Sequence, residues 1–346
     1  MAERLLEVEN LQVTFATEDG LVRAVDEVSF TLDRGEVVAI VGESGSGKSV
    51  TVMTLMGLTR SPNARFGGTA RLGDRDLIAA SEDDLQRIRG EEIAMIFQDP
   101  ISSLSPVHRI GDQIVEQIRA HEKISKAAAL DRAVDLMERV GIPRARDRAR
   151  AYPHEFSGGM RQRAMIAMAL SLSPSVLIAD EPTTALDVTI QAQILQEVAQ
   201  LSRESNSGVI FVTHDLGVVA DIADRVLVMY AGRVVEQGTL DEIFYDPQHP
   251  YTWGLLGSVT RMDRDPPRRL PAIPGQPPSL VNAPEGCHFR PRCPHAFDRC
   301  TEIPPLEARV EGSPNHLDRC WLNVPEKRQR RVVEGRIGLS TGAVTA

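Results

Sequence analysis

Long apolar runs, an excess of basic charge and an abundance of cysteine are all missing from these 346 residues. No stretch of about 18 or more apolar residues occurs, so a bilayer-crossing helix is not expected. The opening MAERLLEVEN is acidic and alternating and has no signal-peptide apolar segment, so the chain is expected to stay in the compartment where it is made. A formal net charge of -9 argues against nucleic acid as a partner, because such proteins usually present a basic face. Four cysteines are too few for a disulfide framework, and metal binding is the better expectation for them. No internal repeat is found.

What is present is ordinary globular composition, 42% hydrophobic and 25% charged, with length enough for a core and a small second unit. From Leu5 to about Glu242, short apolar runs alternate with helical patterns. EVVAIV (Glu36–Val41), EIAMIF (Glu92–Phe97), SVLIAD (Ser175–Asp180), VIFVT (Val209–Thr213) and VLVMY (Val226–Tyr230) each fit a strand buried on both faces. Strands separated by helices predict an α/β fold with a largely parallel sheet covered on both sides. LLEVENLQVTF alternates and predicts a half-buried antiparallel strand. Between Ser102 and Arg150 the strand signal gives way to helical patterns closed by Gly141, the mark of an inserted helical subdomain. Seven prolines between Pro266 and Pro284 predict an extended, semi-rigid arm over residues 246–286. Residues 287–322 hold all four cysteines, and 323–346 read as a flexible tail.

The strongest chemical signal is Gly42, Glu43, Ser44, Gly45, Ser46, Gly47, Lys48, Ser49, set between a strand and a helix. Glycines let backbone N–H groups converge on phosphate oxygens, and the positive end of the helix faces the same anion. Lys48 is expected to reach the β- and γ-phosphates of ATP and the Ser49 hydroxyl to ligate Mg²⁺. A plain glycine-rich turn would leave Lys48 and the strand–helix context unexplained. Downstream, Asp180 and Glu181 end an apolar strand. Asp180 is expected to hold Mg²⁺ through its water shell, and Glu181 to orient and deprotonate the attacking water. Taken alone, the pair also suits a helix N-cap.

Phe156, Ser157, Gly158, Gly159, Met160, Arg161, Gln162, Arg163 resembles the ABC signature, usually written LSGGQ. Phe156 replaces Leu and Met160 replaces Gln, whereas the serine and both glycines are intact. The resemblance implies that Ser157, Gly158, Gly159 and Met160 contact ATP held by an opposite subunit, so a working site takes two chains. Gln98 matches the glutamine that joins Mg²⁺ and the attacking water to the membrane partner's contact. Thr184, Ala185, Leu186 and Asp187 resemble the loop crossing the dimer interface, His214 the switch histidine, and Phe15 the aromatic that stacks on adenine. Read singly, Ser157 is a helix cap, His214 a surface residue and Phe15 a core residue.

LSPVHRIGDQI, FSGGMRQR, DPQHPYTWGLL and IPGQPPSL extend the resemblance to the oligopeptide/dipeptide import subunits, some of whose relatives carry nickel. Cys287, Cys293, Cys300 and Cys320, with five, six and nineteen residues between them, lack the closely paired spacing of zinc sites. They match that subfamily's motif G-C-x-F-x-x-R-C-x6-C, which implies a 4Fe–4S cluster; Zn²⁺ and unligated thiols are the alternatives. Arg290, Arg292, Arg299 and Arg319 are expected to favour the thiolates.

The resemblance implies a RecA-like P-loop ATPase core over residues 1–245 with an antiparallel β subdomain, a helical subdomain at about 102–172, and a small cysteine-rich extension. Its implied partners are a second ABC ATPase subunit, copy or paralogue, two transmembrane permease subunits and an extracytoplasmic solute-binding protein. The implied location is peripheral, on the cytoplasmic face of a bacterial cell membrane. A soluble ABC ATPase acting on DNA or ribosomes would call for coiled-coil insertions or tandem cassettes, and a regulatory subunit with a dead site for loss of Lys48 or Glu181; neither condition is met.

Overall fold

The computed structural model describes residues 3–182, 188–258 and 273–333. The alternating opening is β1 (Arg4–Thr17), which pairs antiparallel with β2 (Gly20–Asp33). Next come β3 (Val37–Val41) and α1 (Lys48–Leu55), then β4 (Ala64–Leu72), antiparallel to β1, and its edge strand β5 (Arg75–Asp76). Helix α2 (Glu82–Ile88), whose cap Ser81 accepts from the Asp84 N–H, leads to β6 (Ile93–Ile96). The helical insertion follows as α3 (Pro100–Ser103), α4 (Ile110–His121), α5 (Lys126–Arg139), α6 (Ala145–Arg148) and α7 (Gly158–Ala169). The chain then runs through β7 (Val176–Asp180), α8 (Val188–Glu204), β8 (Gly208–Thr213), α9 (Leu216–Ile222), β9 (Arg225–Tyr230) and β10 (Arg233–Thr239). It ends with α10 (Leu240–Tyr245), α11 (Pro250–Ser258), β11 (Glu307–Ala308), β12 (Leu317–Asp318) and α12 (Val324–Val333).

The five apolar runs form β3, β6, β7, β8 and β9, parallel neighbours in the sheet order β11-β12-β10-β9-β3-β8-β7-β6. Their lack of alternation has a direct cause. Val37, Ala39 and Val41 of β3 pack into the core shared with the helices, while Val38 and Ile40 pack into the core beneath the antiparallel sheet. A polar residue would be buried on either face. In the insertion, Ile110, Ile114, Val115 and Ile118 form the buried stripe of α4, at the three- and four-residue spacing of one helix face. α5 is capped by the Ser125 hydroxyl, which accepts from the Ala128 N–H, and stops just ahead of Gly141 as expected.

The C-terminal third departs from its sequence expectation in three places. Residues 246–286 do not begin as an extended arm: Pro250–Ser258 are helix α11, with Tyr251 and Trp253 buried. Proline at the first helical position has no N–H to waste and a suitable φ, so Pro250 starts this helix rather than breaking it. The cysteine segment is not set apart either, because β12 pairs with β10 and so lengthens the ATPase sheet itself. The tail begins as α12, tied down by an ion pair between buried Lys327 and Asp318 at 2.6 Å. Nearby, the buried Glu236 carboxylate accepts from the Gln248 N–H at 2.5 Å and the His249 N–H at 2.9 Å, and faces His316 Nε2 at 2.8 Å. Burial pulls the His316 imidazole down, but Glu236 outweighs it and leaves the ring above its ordinary value. Burying such charges is tolerable because each has a partner.

Candidate functional site

The phosphate-binding loop sits between β3 and α1 at the carboxyl ends of the parallel strands, where open α/β sheets take their ligands. Two of its glycines are enforced by close backbone approach as well as by φ. A Cβ on Gly42 (φ 154°) would lie 2.2 Å from the Met229 carbonyl oxygen, and one on Gly47 (φ 101°) 2.3 Å from that of Ala24. Lys48 is buried, and its ammonium donates to the carbonyls of Gly42 at 2.8 Å and Glu43 at 3.1 Å. Burial pulls that ammonium below its ordinary value against the charges of Glu181, Asp180 and Glu43. Among the described residues the buried Ser46 hydroxyl has no hydrogen-bond partner, a donor left over inside a loop built for an anion.

The second strand contributes the carboxylates where they were expected. The Ser49 hydroxyl donates to Asp180 Oδ1 at 2.9 Å, so the hydroxyl expected to ligate Mg²⁺ and the carboxylate expected to hold its water shell meet at the base of α1. Burial pushes the Asp180 carboxyl up, and the Ser49 hydrogen bond opposes it. Glu181 follows with φ 42°, an uncommon left-handed conformation for a non-glycine residue and one that clusters at functional sites. Gln98 Nε2 donates to Glu181 Oε2 at 3.0 Å, and His214 Nδ1 lies 3.3 Å from Oε1. Three residues from the ends of three strands, β6, β7 and β8, are thus joined on one carboxylate.

Phe15 is half-buried on β1, paired with Val22 of the strand whose Ala24 carbonyl abuts Gly47. It therefore lies one strand away from the phosphate loop, on the edge of the core beneath the antiparallel sheet. Ser157 is the N-cap of α7, its hydroxyl accepting from the Met160 N–H at 3.3 Å, so the local cap expected from sequence is real. Ser157 and Gly158 are nonetheless exposed, and Gly159 and Met160 partly so, which leaves this helix end open to another molecule. Among the described residues no hydrogen bond joins it to the phosphate loop of its own chain. Thr184, Ala185, Leu186 and Asp187 lie outside the described residues. A groove beside Gln98, which sequence patterns did not reveal, is lined by Met56, Met95, Phe97, Gln117, Met165 and Met168, between the ATPase sheet and the helical insertion.

The four cysteines line a single small cavity with Phe289 and Trp321. Burial pushes the Cys287 thiol up and the Cys320 thiol up to about 12. The arginines expected to favour thiolates are mostly engaged elsewhere. Arg292 pairs with Glu43, Arg299 stacks 3.8 Å from the Trp321 ring centre, and Arg319 donates to the Val234 carbonyl. Arg290 acts on Cys287, more weakly than burial and the Phe289 backbone N–H do. Among the described residues no three His, Cys, Asp or Glu side chains are grouped to hold a metal ion, so neither the 4Fe–4S nor the Zn²⁺ expectation gains support from this arrangement.

Comparison with known proteins agrees with this geometry. The family described as "ABC transporter" matches residues 25–184, and that described as "Oligopeptide/dipeptide transporter, C-terminal region" matches residues 235–300. The chain is 53% identical to the oligopeptide transport ATP-binding protein OppD of Salmonella typhimurium over 325 residues, covering 94% of this chain and 96% of that one. It is 53% identical to the dipeptide transport ATP-binding protein DppD of Lactococcus lactis, covering 93% and 92%. Among solved structures, a dimeric post-hydrolysis state of an ATP-binding cassette bound to ADP and Pi matches with TM-score 0.62 and 26% identity, over 68% of this chain and 98% of that one.

Proposed function

The chain belongs to the ABC transporter ATP-binding family, on its oligopeptide/dipeptide branch, and from that premise we propose that it splits ATP to drive the import of short peptides through a membrane complex. The observation that carries the reading is the Glu181 carboxylate, held between Gln98 and His214 at the same sheet end as the Lys48 loop.

In this reading the loop's N–H groups and Lys48 bind the triphosphate, and Phe15 offers its ring to the adenine. Ser49, Asp180 and Gln98 would hold Mg²⁺, which neutralises charge on the phosphates. Glu181 takes the proton of the attacking water, and His214 orients the same carboxylate. Catalysis is thus positioning and electrostatics rather than covalent chemistry. Ser157, Gly158, Gly159 and Met160 meet the ATP of a second ATPase subunit.

Residues up to about 245 carry this chemistry, and the insertion at about 102–172 faces two permease subunits. The methionine-lined groove beside Gln98 suits a docking helix from one of them, since methionine packs adaptably against varied surfaces. Among the described residues no helix is long and apolar enough to cross a membrane. The chain is accordingly read as peripheral, on the cytoplasmic face, with an extracytoplasmic binding protein delivering the peptide.

Reconstitution with its permeases and binding protein should give ATP-dependent uptake of labelled peptide. Uptake of nickel but not peptide, or ATP splitting that membranes and peptide leave unchanged, would contradict this assignment.

The cysteine cavity is read as the seat of a 4Fe–4S cluster held by Cys287, Cys293, Cys300 and Cys320, which would act as a structural staple. Each iron of such a cluster takes one thiolate, so its ligands need not close around a single point, as zinc ligands must. Protein purified without oxygen should carry iron and acid-labile sulfide in equal amounts and lose both in Cys293→Ser. Zinc in their place, or no metal at all, would end this part of the proposal.

A further inference from the structure

Arg292 is the arginine of the cysteine motif. It reaches the phosphate loop, where its guanidinium grips Glu43 with both arms, Nη1 to Oε2 at 2.6 Å and Nη2 to Oε1 at 3.0 Å. The Arg292 side chain is only 4% exposed. It is held in place by the carbonyls of Ile273 and Pro274 and by the Tyr230 hydroxyl. A bidentate pair of this kind fixes direction as well as distance.

Two further contacts act on the same few loop residues. The buried Tyr251 hydroxyl accepts from the Glu43 N–H at 2.8 Å, so both the backbone and the carboxylate of Glu43 are held by the C-terminal extension. The Glu43 carbonyl in turn receives the Lys48 ammonium. Separately, His288 Nδ1 lies 2.9 Å from the Ala231 carbonyl, in the turn whose Gly232 N–H donates to the Ser46 carbonyl. Tyr230, Tyr251 and Phe289 pack ring to ring behind these contacts, with centroids 4.5–5.4 Å apart. The segment bearing the cysteines therefore backs the phosphate loop from Glu43 to Ser46.

We propose that Arg292 and Tyr251 are positioning residues for ATP binding: the cysteine-bearing extension clamps the phosphate loop in its binding shape and so sets the protein's affinity for ATP. The inference rests on the ATPase reading above. The clamp acts on the loop before ATP arrives and touches neither Glu181 nor His214, so it should govern binding and leave the hydrolytic step alone.

The test is steady-state MgATP hydrolysis by the assembled transporter with Arg292→Gln, Arg292→Lys, Glu43→Gln and the Glu43→Gln/Arg292→Gln double variant. Losing a charge-assisted, bidentate contact should raise KM for ATP about tenfold in Arg292→Gln, with kcat within about twofold of the parent. Arg292→Lys keeps the charge but not the fork and should fall between. Because both single changes break one interaction, the double variant should be no worse than the poorer single.

An unchanged KM in Arg292→Gln, a fall in kcat at constant KM, or losses that multiply in the double variant would each overturn the proposal. Glu43→Gln leaves the extension intact, so a folding defect confined to Arg292→Gln would appear as a discrepancy between the two singles and would also count against it. Lys48→Ala and the parent protein separate the two levels. A parent that neither binds nor splits MgATP defeats the ATPase reading, whereas an active parent with indifferent Arg292 variants defeats the clamp alone.

Discussion

Glu181→Gln should still bind ATP while splitting it about 10²–10⁴-fold more slowly, the usual contribution of a positioned general base. In barrier terms that is about 3–5 kcal/mol. The substitution keeps shape and size and removes only the charge and basicity. The hydrogen bonds of Lys48 to the Gly42 and Glu43 carbonyls are untouched; the Lys48 ammonium loses one supporting charge but keeps Asp180 and Glu43, and a like charge near the incoming phosphates is removed. The hydrogen bond from Gln98 can be kept by the new amide oxygen, so the backbone at φ 42° has no reason to relax. Nucleotide should therefore accumulate in the unsplit form. Radiolabelled ATP recovered intact from the purified variant is the measurement; turnover within tenfold of the parent would remove Glu181 from its role.

Gly158→Asp should abolish cooperation between two ATPase subunits without harming either one alone. Gly158 is the first residue of α7 and is exposed, so the new side chain projects into solvent. An acidic residue in a helix's first turn is stabilising by itself, so the loss is not one of folding. Against the γ-phosphate of a facing subunit's ATP, the same carboxylate is a like charge in a water-poor contact, which costs several kcal/mol. About 3 kcal/mol corresponds to roughly a 10²-fold loss of dimer closure and of the hydrolysis that depends on it. ATP binding measured on the isolated subunit should be unchanged, while ATP-dependent dimerisation and turnover both collapse. Undiminished turnover would show that this helix end does not take part.

The sheet was legible because its strands are buried on both faces, and such strands cannot alternate; β3, β6, β7, β8 and β9 fall where their apolar runs do. The phosphate loop and the Asp180–Glu181 strand were legible because their chemistry is local, a few adjacent residues in a fixed strand–turn–helix setting. What escaped was set by distant contacts. β11 and β12 have two residues each, too few to carry a period; β10 offers an edge to β12, and β12 in turn to β11. The prolines from Pro266 to Pro284 suggested an arm whose bounds were drawn too early, at 246, where Pro250 in fact opens a helix. Glu43 and Arg292 are separated by 249 positions, so no local pattern could couple them, although Arg292 had been singled out within the cysteine motif. The same motif led to an expectation of arginine-favoured thiolates, and burial prevails there instead.

ATP should join two facing subunits, bound by the Lys48 loop of one and capped by the Ser157 helix of the other, and a structure can show it. The most direct is that of the assembled transporter carrying Glu181→Gln and soaked in MgATP. Ser157 and the N–H groups of the Gly158 helix end should lie within hydrogen-bond distance of the γ-phosphate held across the interface. A nucleotide-filled complex in which that helix end faces open solvent would contradict it.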